Sequence, residues 1–166
     1  MKKIFATLLS IMMITNTLLL TTNAATPEAV TDNLEIISEE TEYFADGTSV
    51  TVTTYQEKNA ISPCGTTYKK SGAKSYTARN GNGEITWVFT LKGTFEVNSG
   101  VSAKCISTSY STSNIASGWE LDSASTYASG NKAIGDATFI HKTLFITTDT
   151  KSCHVVLTCD VNGNLS

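Results

Sequence analysis

The stretch that decides the fold is Ile85-Thr86-Trp87-Val88-Phe89-Thr90-Leu91. Large apolar side chains occupy its odd-numbered positions and threonine alternates with them, Val88 being the one exception. A period of two residues is typical of a β-strand that buries one face and exposes the other. The pattern therefore predicts a strand with Trp87 on its buried face, in the core of the protein.

Further short strands are predicted on both sides of that stretch. Asp46-Gly47, between Glu42–Phe44 and Val50–Thr53, predicts a tight hairpin, because both central turn positions require a positive φ. The segment from Glu57 to Lys74 is rich in turn-forming residues and is predicted to be a loop. Later strands are predicted at Val101–Tyr110, Gly118–Ser123, Lys132–His141, Leu144–Thr148 and Cys153–Asp160. Because no helical periodicity follows residue 48, the chain is predicted to be all-β, an antiparallel β-sandwich of the immunoglobulin-like or a related type.

The first 24 residues have the composition of a cleaved N-terminal signal peptide. Lys2 and Lys3 precede an uncharged stretch, and Thr22 and Ala24 are small residues suited to signal peptidase. We expect cleavage after Ala24 and a secreted, extracellular product. The alternative is a retained membrane anchor, but a polar segment follows the apolar one directly. No second apolar run exists, so no stable membrane insertion is expected after cleavage.

Charge divides the rest of the chain at about residue 47. Residues 25–47 contain seven acidic residues and no basic one, whereas residues 48–166 contain ten basic and eight acidic residues. We predict an acidic N-terminal segment (25–47) that leads into the first hairpin, followed by a β-sandwich domain (48–166). An acidic pro-segment or stalk is the alternative for 25–47. Ten scattered basic residues form no stripe that would neutralise phosphates, so nucleic acid is not an expected partner.

Four cysteines follow the signal peptide: Cys64, Cys105, Cys153 and Cys159. An even number of cysteines in an exported chain predicts two disulfides. Cys153 and Cys159 lie in one predicted strand at a separation of roughly 20 Å, too far for a bridge that needs Cα atoms within about 7 Å. Two pairings remain, Cys64–Cys153 with Cys105–Cys159 or Cys64–Cys159 with Cys105–Cys153, and we prefer the first. The cysteine spacing is too wide for a zinc site.

The chain contains no recognisable catalytic or metal-binding constellation. Neither a G-x-S-x-G nor an S-x-x-K motif is present, and His141 and His154 are too few for a catalytic zinc site. Asp160-Val161-Asn162-Gly163-Asn164 begins like a calcium loop, but its glycine is displaced and a closing glutamate is missing, so a turn is predicted. No enzymatic activity and no cofactor are expected.

Tyrosines provide the one candidate for a binding surface. Exposed tyrosine rings stack on sugars or anchor protein contacts when they form a contiguous patch. The candidates lie in polar surroundings: Tyr68, Tyr76, Tyr110 and Tyr127.

Four segments carry a resemblance to a known group of proteins. They are Tyr43 with the Asp46-Gly47-Thr48 turn, Trp87–Leu91 with Gly93-Thr94-Phe95, Ser129–Ala133, and the ending Leu157–Ser166. In these segments the chain resembles small secreted β-rich proteins of Gram-positive bacteria, a family of unknown function. The resemblance implies an extracellular β-sandwich-like domain and transfers no catalytic residues.

Together these features predict a secreted non-enzymatic protein that binds an extracellular protein or glycan. One alternative is a small toxin or bacteriocin-like protein that acts on membranes, because Ser/Thr-rich strands could rearrange into an amphipathic hairpin. Residues 48–166 carry a net charge of only +2 and contain no basic amphipathic stretch, which argues against it. The second alternative, an enzyme of unrecognised type, lacks a motif set with assignable catalytic roles.

Overall fold

The computed structural model describes residues 33–58 and 66–166. Within these ranges the protein contains eight β-strands and no helix. The predicted signal peptide and Cys64 lie outside the described residues. The strands in chain order are β1 (Leu34–Tyr43), β2 (Ser49–Glu57), β3 (Thr67–Arg79), β4 (Ile85–Asn98), β5 (Ser102–Ser113), β6 (Trp119–Ser129), β7 (Lys132–Thr143) and β8 (Ile146–Thr158).

The strands form two antiparallel sheets. Sheet A has five strands in the order β1-β2-β3-β4-β5, and sheet B has three in the order β6-β7-β8. Every strand pairs with the strand next to it in sequence within its sheet, as expected when hairpins connect antiparallel strands. The prediction of an all-β, antiparallel fold is therefore confirmed, and the structure resembles a sandwich of one large and one small sheet.

The core lies between the two sheets and is centred on β4. Trp87, Phe89 and Leu91 are buried, as the period-two pattern predicts, and the same face of β4 continues to Phe95 and Val97. Sheet B contributes buried side chains from β7 and β8, with Phe139 the largest. Close approach of the sheets explains Gly135 on β7, because a Cβ there would lie 3.0 Å from the Phe89 ring.

Several predicted boundaries are wrong, most of all those around β3 and β8. The predicted loop Glu57–Lys74 ends earlier, because β3 begins at Thr67. Its polar residues and Gly72 hide a strand that pairs on both sides, with β2 and β4, and this pairing overrides weak local propensity. The predicted strands Leu144–Thr148 and Cys153–Asp160 are one strand, β8, because its polar middle continues to pair with β7. The predicted hairpin at Asp46-Gly47 is confirmed, but of these two residues only Gly47 has a positive φ, 83°.

Four connections meet at one end of the molecule, which we call the hairpin end: the β1–β2 turn, the β3–β4 turn, the β5–β6 loop and the β7–β8 turn. A Cβ on Gly47 would lie 3.5 Å from the Gly81 Cα, so the first two turns touch. The Ala116 amide donates to the Thr86 carbonyl, and the Lys142 amide donates to the Gly118 carbonyl. The β5–β6 loop therefore joins the start of β4 to the end of β7.

Candidate functional site

The described cysteines are buried thiols. Cys105 lies in β5, Cys153 in β8 and Cys159 just after β8, and no disulfide joins any two of these three. Burial raises the pKa of the Cys153 thiol to about 12 and that of the Cys159 thiol to about 11. Thiols with such high pKa values are largely protonated at neutral pH and are poor nucleophiles, so none of them is a candidate catalytic residue. The two disulfides remain predictions.

Cys105 and Cys159 are held close to each other. The Cys105 amide donates to the Gly130 carbonyl at 2.8 Å, and the Cys159 amide donates to the Asn131 carbonyl at 3.0 Å. The Asn131 side chain in turn donates to the Cys159 carbonyl at 2.8 Å. Two adjacent residues of the β6–β7 turn thus hold both cysteines.

The four candidate tyrosines lie at different places. Tyr68 donates its hydroxyl hydrogen to the Asn162 carbonyl near the C-terminus. Tyr76 is half-buried and stacks on Trp87 with ring centroids 5.6 Å apart, while Tyr110 stacks on Phe89 at 5.7 Å. Tyr127, in β6, is exposed. In the described part of the chain, no ring contact joins two of these tyrosines.

The outer face of sheet B carries the most distinctive polar cluster. Antiparallel register aligns Ser125 of β6, Asp136 of β7 and His154 of β8 in one row. The His154 Nδ1 and Asp136 Oδ1 atoms are 2.6 Å apart. These residues line an open groove of about 430 Å³, which we call the β6–β8 groove.

A second row of hydroxyl groups lies beside the first. Ser123, Thr138 and Ser152 are aligned by the same register, and the Thr138 and Ser152 hydroxyl oxygens are 3.1 Å apart. On the other side of the first row, Tyr127 lies two residues from Ser125 and therefore on the same face of β6. The groove thus combines the Asp136–His154 contact and several hydroxyls with an adjacent exposed ring.

The order of groups in the first row does not match a nucleophilic triad. A triad needs its histidine between the serine and the carboxylate, so that the imidazole can accept the serine proton. Here Asp136 lies between Ser125 and His154. The Asp136 and His154 side chains are also solvent-exposed, whereas electrostatic stabilisation of a transition state is strongest where water is excluded. The groove is suited to hydrogen bonding with a polar ligand.

His141 is held away from this row. Its Nδ1 lies 2.8 Å from the Thr148 hydroxyl oxygen, and its ring packs at a tilt against Trp119. The described residues contain no cluster of three or more His, Cys, Asp or Glu side chains able to hold a metal ion. The Asp160 turn closes on itself, because Asp160 Oδ1 accepts hydrogen bonds from the Asn162 and Asn164 amides.

Sequence reasoning missed the β6–β8 groove for two reasons. The predicted strand over Gly118–Ser123 stops short of Ser125 and Tyr127, whereas β6 continues to Ser129. The alternation Ser123, Ser125, Tyr127 is a signal that could have extended it. The alignment of Asp136 with His154 depends on the β7–β8 register, which a strand pattern alone does not specify.

No protein-family model, curated protein or solved structure matches this chain. Among the residues that the structure describes, no helix has the length and hydropathy needed to cross a membrane.

Proposed function

We propose that the protein is a secreted, non-enzymatic β-sandwich module, immunoglobulin-like or of a related type, that binds an extracellular glycan through the β6–β8 groove. The observation that carries this proposal is the exposed Asp136–His154 pair, set among hydroxyl groups and beside Tyr127. Secretion is supported by the signal-like sequence of residues 1–24.

The chemistry of the groove favours a sugar over an apolar ligand. Sugar hydroxyls both donate and accept hydrogen bonds, and the groove offers carboxylate, imidazole and hydroxyl partners in two rows. A tyrosine ring provides an apolar face with a polar edge, which suits a sugar ring whose C–H groups lie on one side. The groove is open along the sheet, so it can accept part of a long polymer. The alternative ligand for the β6–β8 groove is an extracellular protein.

Cosedimentation of the purified mature protein with insoluble polysaccharides tests the proposal. Peptidoglycan, chitin and cellulose serve as probes, and we expect the protein to pellet with at least one of them. Tyr127→Ala and Asp136→Asn should each weaken that binding about tenfold, equivalent to about 1.4 kcal/mol, because each removes a ring or charge from the groove.

Tyr43→Ala provides a matched control. Tyr43 is an exposed tyrosine on β1 of the other sheet, so its loss should leave polysaccharide binding unchanged. The proposal is wrong if the protein pellets with none of the three polysaccharides, or if the Tyr43 and Tyr127 variants weaken binding equally.

A further inference from the structure

The turn between β7 and β8 presents three consecutive apolar side chains to solvent. Leu144, Phe145 and Ile146 are 86%, 99% and 69% exposed. They are the tip of a hairpin whose last residues have no third strand beside them, since β6 begins at Trp119, opposite His141. The tip therefore projects beyond the body of sheet B.

The backbone of this tip conflicts with its sequence. Leu144 and Phe145 have φ values of 49° and 69°, the positive region that two-residue hairpin turns require and that Asn-Gly or Gly-Gly normally supply. Leucine and phenylalanine are strained in this region. Departures from local sequence preference concentrate at functional sites, where the side chain is needed for another purpose. Here the strained residues are also the most exposed apolar ones.

Charged groups near the tip are already neutralised by partners. Lys142 forms an ion pair with Glu120, and Lys151 lies 3.9 Å from Asp149. The Thr148 hydroxyl is also engaged, since it donates to the His141 carbonyl. The β7–β8 hairpin consequently has an apolar tip, and the lysines beside the tip are paired with carboxylates.

We propose that the β7–β8 tip inserts into the interfacial region of a lipid bilayer and anchors the protein reversibly to a membrane surface. This site is separate from the β6–β8 groove, so it does not depend on the proposed glycan binding. Leu144, Phe145 and Ile146 would enter the boundary between headgroups and acyl chains, as apolar residues of interfacial anchors do.

The shape of the surface favours lipid over a protein pocket. A stable protein interface buries about 800 Å² on each partner, whereas the apolar surface here is limited to one turn with polar strands below it. Leu, Phe and Ile offer no hydrogen-bonding group to orient a protein partner, and a fluid bilayer requires none. Phe44 and Ile115, on other connections at the hairpin end, are also partly exposed. Exposed apolar side chains on separate loops, such as Phe44 and Ile115, can enter a lipid layer together with the β7–β8 tip.

The overall charge indicates which lipids should bind. The full chain has a net charge of −3, and the mature protein, without Lys2 and Lys3, has 10 basic and 15 acidic residues and a net charge of −5. Attraction to anionic headgroups therefore does not drive association. We expect binding to zwitterionic phosphatidylcholine vesicles that is insensitive to ionic strength. Adding phosphatidylglycerol should leave that binding unchanged or weaken it.

Vesicle flotation of the purified mature protein tests the proposal. The protein should float with phosphatidylcholine vesicles. Phe145→Asp should lower its partition coefficient at least tenfold, because burying one phenylalanine side chain raises a partition coefficient by about tenfold to a hundredfold. The double substitution Leu144→Asn with Phe145→Gly should also abolish flotation while raising Tm, because it supplies the residues that this turn prefers. A variant that is more stable yet unable to bind excludes misfolding as the cause.

Val101→Asp is the matched control. Val101 is 70% exposed on the β4–β5 turn, where the Gly100 amide donates to the Val161 carbonyl, and it lies at the opposite end of the molecule. Its substitution should leave flotation unchanged. The proposal is overturned if the wild-type protein floats with neither vesicle type, if the Asn-Gly variant floats as well as wild type, or if flotation requires phosphatidylglycerol and disappears at high salt.

Discussion

Trp87 is the residue on which the packing of the two sheets most depends. Its indole is 2% exposed and lies between two rings, Phe139 of sheet B at 4.1 Å and Tyr76 of sheet A at 5.6 Å. One side chain therefore links β3, β4 and β7. Its Nε1 atom is buried without a hydrogen-bond partner among the described residues, so Trp87 contributes apolar surface and shape to the core and no side-chain hydrogen bond.

We predict that Trp87→Ala destabilises the protein by about 3 to 5 kcal/mol, because it leaves a cavity between the stacked rings. Trp87→Phe should be much less harmful, since it keeps an aromatic ring and removes the unpaired N–H group. Urea denaturation of both variants measures the difference. If Trp87→Ala unfolds at the same urea concentration as wild type, the sheets are not held together at this point.

At the scale of single elements, the C-terminal turn is stabilised by one carboxylate. Hydrogen bonds from the Asn164 side chain and amide, with a weaker contribution from the Asn162 amide, lower the pKa of Asp160 below its ordinary value of 3.8. The turn is thereby closed, and the Cys159–Leu165 bridge continues the pairing beyond β8. Leu165 packs into the core cluster as a result.

The lowered pKa of Asp160 predicts the direction of a pH effect. A carboxylate whose folded pKa lies below its unfolded pKa stabilises the protein above the unfolded value of 3.8, and this contribution is lost as the pH falls through the folded pKa. We expect Tm to fall in acid below about pH 4, and Asp160→Asn to reduce that dependence. Asp122→Asn, an exposed carboxylate on β6, should leave it intact. Thermal melts from pH 6 downward measure both, and identical slopes in wild type and Asp160→Asn would contradict the prediction.

The elements also explain how much of the fold could be predicted from sequence. β4 was predictable because threonine and large apolar residues alternate along it, and the Asp46-Gly47 hairpin because its turn chemistry is specific. β3 and the middle of β8 were not. Lys70 and Gly72 carry little strand propensity, and residues 147–152 contain no apolar residue that would give a period of two, so both segments are ordered by pairing with neighbouring strands. The β6–β8 groove could not be predicted from the pattern of any single strand, because it depends on the register between strands.

At the scale of the whole molecule, the three described cysteines occupy two separate regions. Cys105 and Cys159 lie together beside the β6–β7 turn. Cys153 lies in β8 opposite Ala137. It precedes Cys159 by six residues, a separation of roughly 20 Å in an extended strand. Of the bridges in the two predicted pairings, this arrangement supports Cys105–Cys159.

Cys153 lies out of reach of the other two cysteines that the structure describes. Cys153 is near Tyr76, in the second half of β3: burial raises the pKa of Tyr76, and Cys153 adds a smaller contribution. Cys64 precedes Tyr68, at the start of β3, by four residues, a reach of at most about 14 Å. Tyr68 and Tyr76 are eight residues apart on the strand, or roughly 26 Å. The reach of the chain from Tyr68 therefore favours a free thiol at Cys153 over a Cys64–Cys153 bridge.

We predict that the exported protein contains a disulfide between Cys105 and Cys159, and that Cys153 retains its thiol. Non-reducing peptide mapping should recover the Cys105–Cys159 linked peptide, and Cys153 should react with an alkylating reagent only after denaturation, because burial raises its pKa to about 12. A disulfide that closes a loop of this length stabilises the folded state by about 4 kcal/mol in the chain-entropy model. The double substitution Cys105→Ser with Cys159→Ser should therefore lower Tm. Cys153→Ala should leave the Cys105–Cys159 disulfide intact. A peptide linking Cys105 to Cys153 would contradict this prediction, because it would show that the two cysteine regions are not separate. A peptide linking Cys64 to Cys153 would also contradict it, because it would show that the strands around Tyr76 pack differently from the arrangement described.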